Sequence, residues 1–420
     1  MHRLKWPLLI FLRYYRNLGL RVTLYALLSV IVALTSPLIR RFLSDDLSDL
    51  VDIAAVKPIL TIMASAMLGV STFSLNVMVT AHRAAAASTT PRVHRLLLED
   101  TTTQSVLSVF IGGFVYFLTA IVMVQAGLYP DDVAIVVMAV AVLVVVLIII
   151  AMLRWIQHLS DLGSMDNSLR AVSDRTITAL ETLARQPALG ANPITDDTVL
   201  PESTTSLSAP RSGYLQLIDV SGLQKQLPEQ GLIYVSCLPG THVLKGEIIA
   251  QVSGPVDDAC LEALQEGFVF GDTRTYEQDA TLGVDVLSEI AARALSPGIN
   301  DPGTAIAVIL RLKSVLWRYG ATEADSDPPE ASRVFVPTPA PARLIEAAFA
   351  QTARDGAGMI EVARHLRQSL QALAGCPRDG MSVAAADMAA LALAYTEQAN
   401  LVEAERRSLR AIEMPKTGVQ

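Results

Sequence analysis

The sequence is poor in charged residues, aromatic residues and cysteine. Its three cysteines, Cys237, Cys260 and Cys376, are far apart and form no C-x-x-C pair or Cys/His cluster, which argues against a disulfide framework and a zinc site. A Walker loop, an H-E-x-x-H motif and a G-x-G-x-x-G motif are absent, and Ser296 lacks the G-x-S-x-G context of a hydrolase nucleophile. We therefore expect no cofactor or metal, and the sequence favours a non-enzymatic role over catalysis.

The balance of charge and hydropathy points to the membrane. Charged residues make up 18% of the 420-residue chain and hydrophobic residues 51%, and the mean hydropathy is +0.41. A soluble protein of this length is less apolar, so we expect the lipid bilayer to be the main partner. The formal net charge is −8, and no basic field of the kind that binds nucleic acid is present.

Four apolar runs are long enough to cross a bilayer, which takes roughly 20 residues per helix. They cover residues 18–39, 59–80, 106–126 and 133–153, and predict an α-helical, four-helix transmembrane domain over residues 1–153. Basic residues precede the first run and lie between the second and third, whereas residues 127–132 between the third and fourth contain none. Since cytoplasmic loops are enriched in Lys and Arg, we expect a multi-pass protein with both termini in the cytoplasm.

Two of the runs carry small and polar residues three or four positions apart, and hence on one face of each helix. In the second run these are Ser65, Gly69, Thr72, Asn76 and Thr80, and in the third Ser105, Ser108, Gly112, Tyr116 and Thr119. One interpretation is close helix packing, because small residues let helices approach and hydroxyls bond across them. The other is a polar path between protomers, with Asn76 as its most polar point. No acidic or basic side chain lies mid-span, which argues against a proton relay.

The rest of the chain predicts an α+β cytoplasmic domain with a small β module and a helical C-terminal region. Residues 154–186 read as an amphipathic connector helix whose apolar stripe needs a partner protomer or the cytoplasmic domain to cover it, which favours a homo-oligomer. We expect a linker over 187–211, the α+β domain over 212–320, a flexible loop over 321–342 and a helical bundle over 343–412.

A stiff corner between two helices is the most strongly specified local feature of the sequence. Proline ends the first helix, glycine permits a positive φ, and an Asn-Asp-Pro sequence suits the start of the second helix. The corner comprises Arg293, Ser296, Pro297, Gly298, Asn300, Asp301 and Pro302. In the structural interpretation these groups cap helices and fix their crossing. In the functional one, exposed amides of the corner bind an anion with the help of an arginine.

Three charged residues precede the first helix of the corner: Arg274, Glu277 and Asp279. If the helices fold back on each other, these residues could meet Arg293, Asn300 and Asp301. Such contacts suit both interpretations, since they either pair charges for stability or bring Arg274 to a bound anion.

The corner also carries a resemblance. The stretch A-L-S-P-G-I-N-D-P-G-T-A at 294–305, together with A-S-A-M-L-G-V-S-T-F-S-L from Ala64, P-R-V-H-R-L-L-L-E-D from Pro91 and S-G-Y-L-Q-L-I-D-V from Ser212, resembles the domain-of-unknown-function family 2254 of predicted bacterial membrane proteins. The resemblance implies a bacterial membrane protein over about residues 20–320. It implies no catalytic residues and no substrate.

These observations predict an integral protein of the bacterial inner membrane that acts as an oligomeric, channel-like or transport component with a cytoplasmic sensory or regulatory domain. Its expected partners are further copies of itself and an unidentified small ligand or anion. The alternative is a non-conducting envelope scaffold or sensor, and a membrane-associated enzyme is the third hypothesis.

Overall fold

A computed structural model describes residues 18–39, 52–88, 92, 101–159, 164–195 and 197–415. The chain divides into two compact units, an N-terminal unit of Met1–Ser168 and a C-terminal unit of Leu169–Gln420. The basic residues before the first helix and Arg95 between the second and third helices lie outside the described residues, whereas Arg83 and Arg92 lie within them. The predicted orientation of the chain in the membrane rests largely on those residues and stays a prediction.

The described part of the N-terminal unit is built from long apolar helices: α1 (Leu18–Ile39), α2 (Ile53–Ser88), α3 (Thr101–Gln125) and α4 (Ala134–Leu159). All four are long and apolar enough to cross a membrane, as the four runs predict. The helix α3 packs against each of the other three, so it forms the centre of the bundle. A short 3-10 helix, Asp131–Val133, leads into α4.

The amphipathic helix α5 (Met165–Arg185) follows, and residues 160–163 between α4 and α5 lie outside the described part. From Leu169 onward α5 belongs to the C-terminal unit, where Leu169, Val172 and Leu180 are buried. The apolar stripe of α5 is therefore covered by the chain itself. The stripe does not require a partner protomer, so α5 gives no argument for a homo-oligomer.

The strands of the C-terminal unit form two sheets. They are β1 (Ala191–Pro193), β2 (Thr205–Ser208), β3 (Gly213–Ile218), β4 (Leu232–Val235), β5 (His242–Val243), β6 (Ile248–Ser253), β7 (Phe268–Gly271) and β8 (Ala331–Val336). One sheet has the order β1-β8-β4-β6-β2, with β8 parallel to β1 and β4 and the other pairs antiparallel. The other sheet has the antiparallel order β5-β3-β7. Two short helices, α6 (Val220–Gln226) and α7 (Asp258–Gln265), lie between strands.

Two segments expected to be irregular contribute strands. The expected linker 187–211 contains β1 and β2, and the expected flexible loop 321–342 contains β8. The residues Ala331, Val334 and Val336 of β8 are buried, because β8 lies between β1 and β4. These two segments therefore do not separate folded domains, since both contribute strands to the same five-stranded sheet.

Six helices complete the C-terminal unit: α8 (Leu282–Leu295), α9 (Pro302–Ala321), α10 (Pro341–Asp355), α11 (Ile360–Leu373), α12 (Met381–Gln398) and α13 (Glu403–Arg410). The helix α8 packs against α9 and α10, α11 packs against α9 and α12, and α12 packs against α10. The predicted C-terminal helices thus pack directly against the helices on either side of the corner. Together they form one helical layer with α8 among its most buried members.

Candidate functional site

The polar stripe of α3 packs inside the chain. Ser108 is fully buried and its hydroxyl donates to the Gln104 carbonyl oxygen of its own helix at 2.7 Å. Tyr116 is also buried, and its hydroxyl donates to the carbonyl oxygen of Val137 in α4 at 3.2 Å. A Cβ atom at Gly112 would lie 3.3 Å from Ser29 Oγ of α1, so α1 and α3 are in close contact there. Thr119 is half-buried. These positions match the packing interpretation.

The polar stripe of α2 faces the opposite way. The residues of α2 that are buried against the bundle are Val56, Leu60, Ala64, Met67, Ser74 and Met78. At 100° per residue these positions lie on the far side of the helix from Ser65, Thr72 and Asn76, all of which are exposed. The structure therefore separates the two stripes, one inside the bundle and the other on its outside.

The exposed stripe of α2 contains one polar group that the helix does not satisfy. The hydroxyls of Ser65, Thr72 and Thr80 each donate to the carbonyl oxygen four residues earlier, at 3.0, 2.8 and 2.9 Å. The Asn76 carboxamide, in contrast, has no hydrogen-bond partner within the described residues. A Cβ atom at Gly69 would meet nothing within 4 Å, so the middle of the stripe is open for close approach by another helix.

In the C-terminal unit two of the three predicted charged residues, Arg274 and Asp279, belong to a partly buried cluster at the start of α8. Arg274 Nε donates to Asp279 Oδ2 at 2.6 Å and Arg274 Nη2 donates to Asp279 Oδ1 at 3.0 Å, which makes a bidentate pair. Arg274 Nη1 donates to Asp285 Oδ2 at 2.5 Å, and Nη2 also donates to Thr281 Oγ1 at 2.8 Å. The Asp279 side chain is only 1% exposed. We call Arg274, Asp279, Thr281 and Asp285 the arginine cluster.

The arginine cluster joins the β strands to α8. Asp279 Oδ1 accepts the backbone amides of Thr281 and Leu282 at 3.2 and 3.1 Å, which caps the start of α8. On the other side, Gly240 in the turn before β5 lies so close that a Cβ atom would be 2.2 Å from Asp279 Oδ2. Gly240 also has a φ of +94°, so glycine is required there for two reasons.

The electrostatics of the cluster fit an ion pair. Burial by itself lowers the pKa of Arg274, but the hydrogen bonds and charges of Asp279 and Asp285 more than offset it, so the pKa is raised above its ordinary value. The guanidinium stays protonated, and four of its five N–H donors bond to side chains of its own chain. This arrangement favours a structural role.

The structure does not bring this cluster to the corner. The arginine cluster lies at the N-terminal end of α8 and the corner at its C-terminal end, about 20 Å apart for a 14-residue helix. Arg274 pairs with Asp279 and Asp285 rather than with the residues of the corner, and Glu277 is exposed. The sequence analysis did not identify Asp285 as a partner of Arg274. Its position in the first turn of α8, close to Asp279 in the sequence, could have indicated it.

The corner itself is exposed and closed by its own hydrogen bonds. The Ser296 hydroxyl donates to the Arg293 carbonyl oxygen at 2.6 Å, and the Asn300 and Asp301 amides donate to the Ser296 and Ala294 carbonyl oxygens at 2.9 and 2.8 Å. The sequence suggested that Gly298 would take a positive φ in this corner. The residue that does so is Asn300, with a φ of 51°. Pro302 is the first residue of α9, as predicted.

Asp301 fills the anion-binding position at the start of α9. Its carboxylate accepts the Thr304 amide at 3.0 Å and the Thr304 hydroxyl at 2.6 Å. These hydrogen bonds from Thr304 lower the pKa of Asp301. The helix N-terminus therefore already holds a carboxylate of the chain, which supports the capping interpretation of the corner.

Asp301 gives a prediction for stability and its pH dependence. We expect Asp301→Ala to cost about 1 kcal/mol at pH 7, as for other N-cap residues. Because the folded-state pKa is lowered, the charged carboxylate contributes stability above the ordinary Asp pKa of about 4, and this is lost as the pH falls through the folded value. Asp301→Asn should keep the cap but lose the pH dependence. Thermal unfolding at pH 7 and pH 3 measures both, and equal pH dependence in Asp301→Asn and wild type would contradict the assignment.

A second buried arginine, which the sequence did not single out, holds the C-terminal helices together. Arg367 is buried, and its guanidinium donates to the carbonyl oxygens of Leu409, Ala389 and Ile412 at 2.9, 3.0 and 2.8 Å. Burial lowers its pKa. Because Arg367 is committed to three backbone carbonyls, we read it as a structural contact that fastens α13 to α11 and α12.

Within the described part of the chain, no three His, Cys, Asp or Glu side chains are grouped closely enough to hold a metal ion. The geometry thus offers helix packing, an outward polar stripe and a structural ion cluster as its main features. None of these groups places a nucleophile beside a base.

The chain is similar to Uncharacterized protein Rv1290c of Mycobacterium tuberculosis, with 26% identity over 356 residues that cover 78% of this chain and 67% of the relative. Uncharacterized protein Mb1321c of Mycobacterium bovis matches equally well, with 26% identity over the same shares of both chains. No solved structure matches the chain.

The family comparison covers both units. The model of the family described as Predicted membrane protein (DUF2254) matches residues 16–372, from the start of α1 to the end of α11. The match includes the four long apolar helices, both sheets, the arginine cluster and the corner. The chain therefore belongs to the DUF2254 family of predicted membrane proteins.

Proposed function

We propose that the protein is a homo-oligomer of the bacterial inner membrane whose protomers meet along the polar stripe of α2 and enclose a channel-like path. The C-terminal unit is its cytoplasmic sensory or regulatory part. The observation that carries the proposal is the direction of the stripe: Ser65, Thr72 and Asn76 face away from the chain's own bundle.

The length of the stripe supports a contact across most of the membrane. From Ser65 to Thr80 it extends about 22 Å at 1.5 Å per residue, against roughly 30 Å for a bilayer's hydrocarbon core. Asn76 would face lipid in a monomer, and a carboxamide without partners is costly there. A second copy satisfies it, because the same stripe on a partner offers the same amide and hydroxyl groups.

A path between copies is better supported than a path through one chain. The helix α3, at the centre of the bundle, packs its polar residues against α1 and α4. One void in the described part of the bundle is lined by Ser74, Thr103 and Trp155 and is too narrow to admit a water molecule. By contrast, the outer face of α2 has open space at Gly69 and a row of hydroxyls next to Asn76.

The proposed function predicts a change in conduction for one substitution. Purified protein in liposomes should pass small ions or small neutral solutes, and Asn76→Leu should abolish that flux because it replaces the most polar group of the path with an apolar one. The matched control is Phe73→Leu, which changes an exposed apolar residue of α2 beside the stripe. The flux of potassium, chloride and a small neutral solute is measured for wild type and for both variants. Absence of flux from wild-type protein for all three would contradict the channel.

A second candidate is a non-conducting scaffold or sensor. The internal hydrogen bonds of Ser65 and Thr72 favour it, because hydroxyls that are already satisfied suit a tight helix contact as well as a path. This candidate predicts self-association along α2, co-purifying partner proteins and no flux. The flux assay therefore separates the two.

A further inference from the structure

The helix α9 carries an exposed apolar face in the C-terminal unit. Its buried face packs against α8 and α11 and comprises Ala305, Val308, Ile309, Leu312, Val315 and Leu316. On the other side, Leu310 is 38% exposed and Trp317 is 41% exposed. Gly303, Leu310 and Trp317 are spaced seven apart and so lie in one line along the helix. We call Gly303, Ile306, Leu310, Ser314 and Trp317 the outer face of α9.

The outer face of α9 has the character of a helix-packing surface. None of its five members is charged, and the basic residues of α9 lie at its edges. Large apolar side chains in such a line are stabilised when another helix covers them, by roughly 25 cal/mol per Å² of apolar surface removed from water. Something of matching shape is therefore expected to lie against it.

We propose that the outer face of α9 is covered by the same face of a second copy, in an antiparallel pair with its two-fold axis at Leu310. In this pairing residue 303 of one copy lies opposite residue 317 of the other. The shapes suit each other: Trp317 is large and exposed, while a Cβ atom at Gly303 would have only Asp301 Oδ1, at 3.3 Å, within 4 Å. The space above Gly303 thus accommodates the partner's indole ring. The contact is isologous, as a two-fold dimer requires.

Charge decides between antiparallel and parallel pairing. The start of α9 carries the exposed carboxylate of Asp301, and its second half carries Arg311, Lys313 and Arg318. An antiparallel pair places Asp301 of one copy beside Arg318 of the other, which is 56% exposed at its side chain where it bridges to Glu181. It also sets the positive end of each helix dipole against the negative end of its partner. A parallel pair would instead bring the two Asp301 carboxylates together.

The pairing of α9 can fail or hold independently of the proposed contact along α2. The two surfaces belong to different compact units of the chain. Its test uses the full chain in its membrane, with Cys237 and Cys260 replaced by serine so that introduced cysteines are the main reactive thiols. Cys376 stays, because it is buried with its sulfur against Gly320.

The experiment is disulfide cross-linking under mild oxidation. Leu310→Cys should give a covalent dimer on a non-reducing gel, because the axis brings the two copies of this residue together. When Gly303→Cys and Trp317→Cys are carried by two differently tagged copies in one cell, they should cross-link to each other, and neither should cross-link when present alone. Val383→Cys on α12, a residue 55% exposed, is the control and should stay monomeric.

Each outcome decides the proposal. A Leu310→Cys dimer together with the mixed 303–317 cross-link supports it, and persistence of both in the Asn76→Leu background shows that the α9 contact stands without the α2 contact. Cross-linking of residue 303 to residue 303 indicates parallel pairing and overturns the proposal. No more dimer from Leu310→Cys than from Val383→Cys also overturns it, and the face is then covered by lipid or a different protein.

Discussion

Asp279→Ala is expected to destabilise the C-terminal unit by about 3–5 kcal/mol, the range for removing one partner of a buried ion pair. Asp279 holds Arg274 through two hydrogen bonds of 2.6 and 3.0 Å and also caps α8 through the Thr281 and Leu282 amides. Its loss leaves Arg274 partly buried with Asp285 as its remaining carboxylate partner. For a unit of this size the loss corresponds to a fall in Tm of roughly 6–20 °C, to be measured by circular dichroism on the purified full chain.

A surface ion pair provides the control for this substitution. Arg354 pairs with Asp355 at 2.9 Å, and its side chain is 60% exposed. Because exposed ion pairs are screened by water and contribute little to stability, Arg354→Ala should barely change the Tm. Equal shifts for Asp279→Ala and Arg354→Ala would mean that the arginine cluster does not hold the β strands to α8.

Gly283→Ala is expected to loosen the contact between α5 and α8 at a cost of about 1–3 kcal/mol, as for overpacked cores. An added Cβ atom would lie 2.0 Å from Thr176 Oγ1, 2.8 Å from its Cβ and 3.0 Å from its Cγ2. Rotation of the threonine side chain cannot relieve all three contacts, since its Cβ atom is itself too close. Trypsin should then cleave α5 faster, at Arg175 and Arg185, in addition to the lower Tm.

A second substitution should partly reverse the effect of Gly283→Ala. Thr176→Ala removes Oγ1 and Cγ2 and leaves only the 2.8 Å contact with Cβ. The double variant should therefore recover part of the lost stability, and the double-mutant cycle should show coupling between the two positions. Gly298→Ala is the control, because a Cβ atom there meets nothing within 4 Å and the residue has no positive φ. Additive effects of Gly283→Ala and Thr176→Ala would contradict the packing described for α5.

The sequence predicted the membrane helices well but not what covers each face. Apolar runs of about 20 residues are a local property, and all four are found as helices. The stripes of α2 and α3 have the same spacing and composition, yet Ser108 and Tyr116 are buried while Ser65 and Thr72 are exposed. Periodicity identifies a face of a helix, whereas the neighbour of that face depends on how the helices are arranged in space.

Strand β8 illustrates a different limit of sequence reasoning. The acidic and proline-rich residues on both sides of A-S-R-V-F-V are typical of a loop, and the strand is only six residues long. Its partners β1 and β4 are distant in the sequence and parallel to it. Such pairing leaves no local hairpin signal, so β8 could not be found from nearby turns.

Two members of the arginine cluster, Arg274 and Asp279, were singled out from the sequence, but as contacts of the corner. Their pairing with each other was not predicted. Their expected contact with the corner required the helices to fold back onto the segment before α8. The helix α8 instead keeps the two ends apart, and Asp285 in its first turn supplies the second carboxylate.

The most direct test of the central claim, that protomers meet along the polar stripe of α2, is disulfide cross-linking in the membrane. Cys237 and Cys260 are first replaced by serine, and a single cysteine is then placed at Thr72 or, as control, at Val146 on the exposed face of α4. A disulfide requires Cα atoms within about 7 Å, so only facing helices can form it. The account predicts a covalent dimer for Thr72→Cys and none for Val146→Cys. A monomer in both, or equal dimer in both, would contradict it.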